Sequence, residues 1–149
     1  MEIAIIAGDR KKELMTQFCI AYCGILANHN LCATGTTCKY IAEATGLHIE
    51  KLLSGTHGGV QHISSRVSYD EIDLVLFFRD AYESESEAEK NDLDLLKLCD
   101  IHNIPVATNI ATAEILVRAL DRGDLDWREI VNPRSEYNLK KKKQTMMKR

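Results

Sequence analysis

Residues Ile72 to Phe78 read Ile-Asp-Leu-Val-Leu-Phe-Phe and end in Arg79-Asp80, an apolar run too continuous for a strand with one wet face. Such a run suits a strand buried on both sides, the situation of a parallel sheet covered by helices above and below. Glu2 to Ala7, Glu-Ile-Ala-Ile-Ile-Ala, is a second run of the same kind. Shorter stretches at Leu31–Ala33, Ile49–Leu53 and Ile104–Asn109 bring the strand count to about five, with Pro105 near a strand start, where a missing N–H is tolerated.

The intervening segments carry helical spacing. Leu14, Phe18, Ala21, Tyr22 and Ile25 recur on one face between Arg10 and about Asn28. Cys38–Thr45, stopped by Gly46, Ile63–Tyr69, Leu93–Cys99 and Ala111–Leu120, stopped by Gly123, are further helices, and Trp127–Val131 adds a last ordered segment. Ala81–Asn91 is acidic and serine-rich, an exposed loop or helix entrance. Strands alternating with helices predict an α/β fold: a three-layer, doubly wound parallel sheet of about five strands joined by right-handed crossovers. Ligands of such sheets bind beyond the carboxyl ends of the strands.

Two loops there are furnished for an anion. Ala33-Thr34-Gly35-Thr36-Thr37 places hydroxyls and backbone N–H groups where a strand runs into a helix, and the N-terminal amides and dipole of a helix favour phosphate or carboxylate. Leu53-Ser54-Gly55-Thr56-His57-Gly58-Gly59 follows about one βα unit later, with glycines that suit unusual dihedrals and close backbone approach. Lys12 adds a cation, although a solvated surface lysine fits equally. Asp9 suits a helix cap as well as a site role. Asp80 ends the clearest strand.

The chain of 149 residues, 45% hydrophobic and 28% charged, suits one domain, residues 1–132, followed by a basic tail, 133–149. In that tail Lys140-Lys141-Lys142-Lys143 shows no apolar periodicity and reads as solvated or disordered, with contacts to a neighbouring subunit or an anion as the alternative. A net charge of −3 disfavours nucleic-acid binding as the main activity. No apolar run approaches the roughly 20 residues of a membrane span, and the sequence shows no secretory signal segment, so a cytoplasmic location is expected. Cys19, Cys23, Cys32, Cys38 and Cys99 then read as reduced, buried small residues; the spacing of Cys19 and Cys23 lacks the second pair a metal centre needs, so no metal is expected.

Taken together, Ile-Ala-Ile-Ile-Ala-x-Asp at the start, the Ala33–Thr37 turn, Ser54-Gly55 followed by Gly58-Gly59, Phe77-Phe78-Arg79-Asp80 and Ile104-Pro105-Val106-Ala107-Thr108-Asn109 resemble methylglyoxal synthase. The similarity runs from about Met1 to Val131, collinear and with nearly uniform spacing. It implies cyclic hexamers and a site for dihydroxyacetone phosphate, converted to methylglyoxal and inorganic phosphate without metal or organic cofactor. An aspartate would take the proton beside the carbonyl, and a histidine would polarise the enediolate oxygens, before phosphate leaves.

The resemblance assigns the phosphate to Lys12, Thr34, Gly35, Thr36, Thr37, Ser54 and Gly55, and it retains Asp9 and Asp80 as catalytic candidates. The reacting positions differ. The family pattern Gly-Gly-Asp-Gln reads Gly58-Gly59-Val60-Gln61 here, the expected His-Asp after the first strand is Gly8-Asp9, and the Pro-His-x-Pro-Asp loop is replaced by Glu85-Ser86-Glu87-Ala88-Glu89-Lys90-Asn91. Valine cannot accept a proton. His57 and His62 flank Val60 as substitute bases, since imidazole titrates near physiological pH. The expectation is strongly impaired or altered catalysis on a small phosphorylated metabolite. The alternatives are a non-catalytic sensor of such a metabolite or of inorganic phosphate, as in the related regulatory domains of carbamoyl phosphate synthetase, or a partner subunit in a mixed oligomer.

Overall fold

The computed structural model describes residues 1–52, 58–81, 87–131 and 136–147. Five parallel strands, β1 (Glu2–Ala7), β2 (Asn30–Ala33), β3 (Ile49–Lys51), β4 (Leu74–Phe78) and β5 (Val106–Ala107), form one sheet in the order β3-β2-β1-β4-β5. The chain winds outward from β1 to β3, then returns to the other side of β1 to lay down β4 and β5. The β1/β4 boundary is therefore the switch point of a doubly wound sheet. Register there pairs Ile3 with Leu74 and Ala7 with Phe78.

Strand alternation divides the core into two apolar layers. Ile3, Ile5, Leu74, Leu76 and Phe78 face one side, against Met15, Phe18 and Cys19 of α1 (Lys12–Ala21), Ile41 of α3 (Gly35–Thr45) and Val117 of α6 (Ile110–Arg122). Ala4, Ile6, Val75 and Phe77 face the other, against Ile63 and Val67 of α4 (Gly58–Ser68) and Leu95 and Cys99 of α5 (Glu87–Ile101). Because both faces are covered, β4 and residues 3–7 of β1 are apolar at every step, as Ile72–Phe78 predicted.

The element boundaries depart from the sequence reading for local reasons. The helix expected over Arg10–Asn28 is a 3-10 turn, Asp9–Lys11, then α1, a break at Tyr22 and the short α2 (Cys23–Leu26). Tyr22 packs its ring 4.9 Å from that of Phe18, and Gly24 beyond it lowers helical propensity. Gly58 and Gly59, expected in a loop with unusual dihedrals, instead open α4, five residues before the predicted start; the first turn of a helix tolerates glycine because its N–H groups lack intrahelical partners anyway. The acidic stretch is a helix entrance, with α5 beginning at Glu87. β5 is shorter than Ile104–Asn109: Pro105 supplies only its carbonyl, to Val75 N–H at 3.0 Å, and Asn109 turns away to cap α6 by accepting from Thr112 N–H at 3.1 Å. The tail contains a helix, α8 (Glu136–Met147), whose lysines, leucine and methionines are good helix formers, and its described side chains are exposed.

At the amino edge a buried ion pair ties α7 (Arg128–Val131) to β4. Arg128 Nε lies 3.2 Å from Asp73 Oδ1, both side chains are 0% exposed, and Arg128 also donates to the carbonyls of Asn103 and Ile72. Asp73 Oδ2 accepts the amide N–H of Glu2 at 2.9 Å. All five cysteines are free; Cys19, Cys32, Cys38 and Cys99 are buried and Cys23 is half-buried, in keeping with their reading as small core residues.

Candidate functional site

The site lies along the carboxyl edge of β2, β1 and β4. Gly8 continues β1 by donating its N–H to Phe78 O at 3.0 Å, which keeps the ends of β1 and β4 in contact. Its backbone is extended (φ −60°, ψ 161°), so dihedrals do not require glycine here. The space is tight, however: a Cβ at position 8 would lie 3.1 Å from Asp80 N and 3.2 Å from Asp80 Cβ, so those atoms would have to give by a few tenths of an ångström. The Asp80 side chain is 7% exposed, with Oδ2 at 3.3 Å from Nε of Arg10, whose side chain is 73% exposed. A cleft of about 40 Å³ opens beside them, lined by Gly8, Phe77, Arg79, Asp80, Ala81, Glu89 and Asp92. It sits at the switch point between β1 and β4.

One turn after Gly8, Lys12 Nζ donates to Asp9 Oδ1 at 2.8 Å. Lys12 is 19% exposed and Asp9 94% exposed, so lysine and not aspartate is the embedded partner. This hydrogen bond, with the lysine's charge, holds the Asp9 carboxyl below its usual range. Asp9 begins the 3-10 turn, and its side chain makes no helix cap there.

The Thr34–Thr37 turn follows β2. Thr34 is extended (φ −66°, ψ 153°) and precedes the first residue of α3, yet its side chain makes no cap to the helix. Its Oγ1 instead donates to Thr37 Oγ1 at 3.3 Å, while its carbonyl accepts Cys38 N–H at 2.8 Å. The first-turn N–H groups of α3 are thus left uncapped by Thr34, with two threonine hydroxyls beside them. Gly35 and Thr37 are buried, and Thr36 is exposed. Backbone amides, threonine hydroxyls and the positive end of the α3 dipole thus share this turn.

The structure therefore gathers Gly8, Asp9, Lys12 and Asp80 at the ends of β1 and β4, with Thr34–Thr37 on the adjoining strand. Ser54, Gly55 and His57 lie outside the described residues. Val60 does not join the polar groups: it packs against the apolar layer of Ile6, Phe77 and Ile63. His62 is half-buried on α4, and its Nδ1 is buried with no hydrogen-bond partner among the described residues. Arg10, Glu89 and Asp92 were absent from the sequence-based candidates. For Arg10 the available signal was its place directly after Asp9 in a loop beyond a strand; Glu89 and Asp92 carried none apart from the acidity of their segment.

Strand order and crossovers together define a doubly wound α/β protein with a polar cleft at its topological switch point. The family model for the MGS-like domain matches residues 17–108. Methylglyoxal synthase from Caldicellulosiruptor saccharolyticus is 57% identical over 138 residues, covering 93% of this chain and 97% of that protein. Methylglyoxal synthase from Geobacillus thermodenitrificans is 49% identical over 136 residues, 91% of this chain and 94% of its own. The crystal structure of methylglyoxal synthase from Elizabethkingia anophelis NUHP1 superposes with a TM-score of 0.69 at 36% identity, covering 78% of this chain and 76% of that one. The chain belongs to the methylglyoxal synthase family.

Proposed function

We propose that this chain binds a small phosphorylated metabolite at the switch-point edge, dihydroxyacetone phosphate by its family, and that its conversion to methylglyoxal and phosphate is strongly depressed. The phosphate would rest on Thr34, Gly35, Thr36 and Thr37, with Lys12 supplying charge and Ser54 and Gly55 closing from the next loop. The observation that carries the reading is the placement of Val60 in the apolar layer, while the α3 N-terminus is uncapped by Thr34 and keeps its hydroxyls.

The reaction needs a proton acceptor within hydrogen-bond reach of the C–H beside the carbonyl, and donors for the oxygens of the enediolate; the carbon–oxygen bond to phosphate then breaks. Val60 supplies no acceptor, and Gly8 supplies no imidazole. Asp80 retains a carboxylate, but it is paired with Arg10. Each positioned acid or base is worth about 10²–10⁴-fold, so two missing groups remove most of the acceleration. His62, whose Nδ1 lacks a partner among the described residues, is the substitute base for any residual turnover; His57 is the other candidate. The same features favour a second reading, a non-catalytic sensor of phosphate or of a phosphorylated metabolite.

We further assign residues 1–132 to the domain and 133–149 to an appended basic segment, with assembly into hexamers and a cytoplasmic location as family expectations. The test is methylglyoxal release by the purified protein alongside calorimetric titration with inorganic phosphate: binding with little or no release supports the proposal, and release without depressed turnover refutes it.

A further inference from the structure

Charge is divided unevenly along this chain. Residues 133–149 hold seven basic side chains against Glu136, a net charge of +6, so the remaining 132 residues carry −9. The basic part coincides with α8, where the described apolar side chains are uncovered: Leu139 is 49%, Met146 75% and Met147 86% exposed. At about 100° per residue, Leu139 and Met146 stand about 20° apart on one line of the helix, and positions 142 and 143, both lysine, fall about 50° to either side of it. The helix thus carries a narrow apolar strip with a basic position on each flank.

A complementary face lies at α7. Trp127 and Ile130 are three residues apart on one turn, closed by the Ile130 N–H donating to the Trp127 carbonyl at 3.1 Å, so their side chains are neighbours, 46% and 84% exposed. Asp121, Asp124 and Asp126 beside them are exposed, and Glu129 is half-buried. Arg122 offsets one of these charges by pairing with Asp124, and the Arg128 guanidinium is taken up by buried Asp73, so the face stays acidic. Within one chain the α8 strip and the α7 face are both uncovered, which means that α8 does not lie on the α7 of its own chain.

We propose that the Leu139–Met146 strip of α8 docks on the Trp127–Ile130 face of a second copy of this chain. Apolar contact forms the centre, and Lys142 and Lys143 meet Asp124, Asp126 and Glu129 at the rim, the usual distribution of an interface. Exchanged reciprocally, the same pair of surfaces is used twice about a two-fold axis, which closes the contact. The −9 carried by the rest of the chain repels nucleic acid and anionic lipid alike, whereas it attracts the basic segment of another copy.

Trp127 is the only tryptophan of the chain, so tryptophan emission reads this face alone. The experiment compares the full-length parent, the double variant Leu139→Gln/Met146→Gln, and that double variant co-expressed with Trp127→Phe, which keeps its tail and lacks the tryptophan signal. Both glutamines fall on exposed positions and suit a helix, so the fold is kept. The expected result is blue-shifted emission shielded from acrylamide in the parent, a red shift and loss of shielding in the double variant, and return of the shielding when the Trp127→Phe chain is present. Shielding in the parent is expected to weaken at about 1 M salt, where charges are screened within about 3 Å. Equal quenching of parent and double variant overturns the proposal. Parent shielding that the Trp127→Phe chain does not restore places α8 on its own chain and overturns the second copy as its partner.

Discussion

Gly8 and Asp80 meet so closely that a Cβ on the first would stand 3.1 Å from the amide nitrogen of the second and 3.2 Å from its Cβ. The backbone and Cβ of Asp80, just past the end of β4, lie close to the space that a side chain at position 8 would need. Restoring the family's histidine there therefore displaces backbone as well as side chain. Gly8→Ala is expected to destabilise the protein by about 1 kcal/mol or more, read by urea unfolding, and Gly8→His by more, without a gain in methylglyoxal release. Full stability of Gly8→His, with gained turnover, would show that the edge opens freely.

Val60→Asp tests the other reacting position. Because Val60 packs against the apolar layer, the new carboxylate meets apolar neighbours, and the variant is expected to lose about 1–3 kcal/mol of stability while turnover stays depressed. Substantial turnover from this single change would place position 60 at the ligand and make Gly8 irrelevant to the defect.

Much of this architecture is legible in the sequence. The both-face burial of β1 and β4 leaves uninterrupted apolar runs, so strand count and parallel topology follow directly. Thr34–Thr37 is equally readable, because hydroxyls around a glycine after a strand form a local pattern. The Gly8–Asp80 approach is not, since it depends on the register that sets Ala7 beside Phe78. Arg128 and Asp73, 55 residues apart in sequence, likewise meet only through the tertiary fold. Gly58 and Gly59 misled because glycine is compatible with a loop and with a first helical turn alike.

The Arg128–Asp73 pair gives a stability prediction. Arg128→Ala leaves the Asp73 carboxylate buried without its cation and is expected to cost about 3–5 kcal/mol, read from the urea midpoint. Replacing both residues with apolar groups of similar volume should cost clearly less. Equal losses for the single and double replacements would mean that packing, and not charge, dominates this site.

Asp9 and Lys12 supply the pH dependence. The carboxyl of Asp9 is held below its ordinary value of 3.8 by the Lys12 hydrogen bond and charge, so the folded protein binds that proton less readily than the unfolded chain. The pair therefore adds stability above that ordinary value, and the contribution is lost as pH falls through the folded value. With Asp9 almost fully exposed, the effect is small and screened by salt. Lys12→Met should move the Asp9 titration, followed by NMR, back up toward the ordinary value; an unmoved midpoint would deny the pairing.

Thiol chemistry tests the core assignment of the cysteines. Burial pushes the Cys19, Cys32 and Cys99 thiols up to about 12, which leaves them protonated and unreactive at neutral pH. Half-buried Cys23 should react first with a disulfide reagent, and Cys23→Ser should remove that fast phase. Rapid labelling of Cys19, Cys32 or Cys99 in the folded protein would contradict their burial.

The central claim is that the phosphate half of the site persists while the reacting half does not. Its most direct test is the steady-state rate of methylglyoxal release by the purified chain at saturating dihydroxyacetone phosphate. Against an ordinary enzyme median of about 10 s⁻¹, the absence of acid–base groups at positions 8 and 60 predicts a rate below about 0.1 s⁻¹. A rate near the ordinary median would contradict it and show that other residues carry the proton.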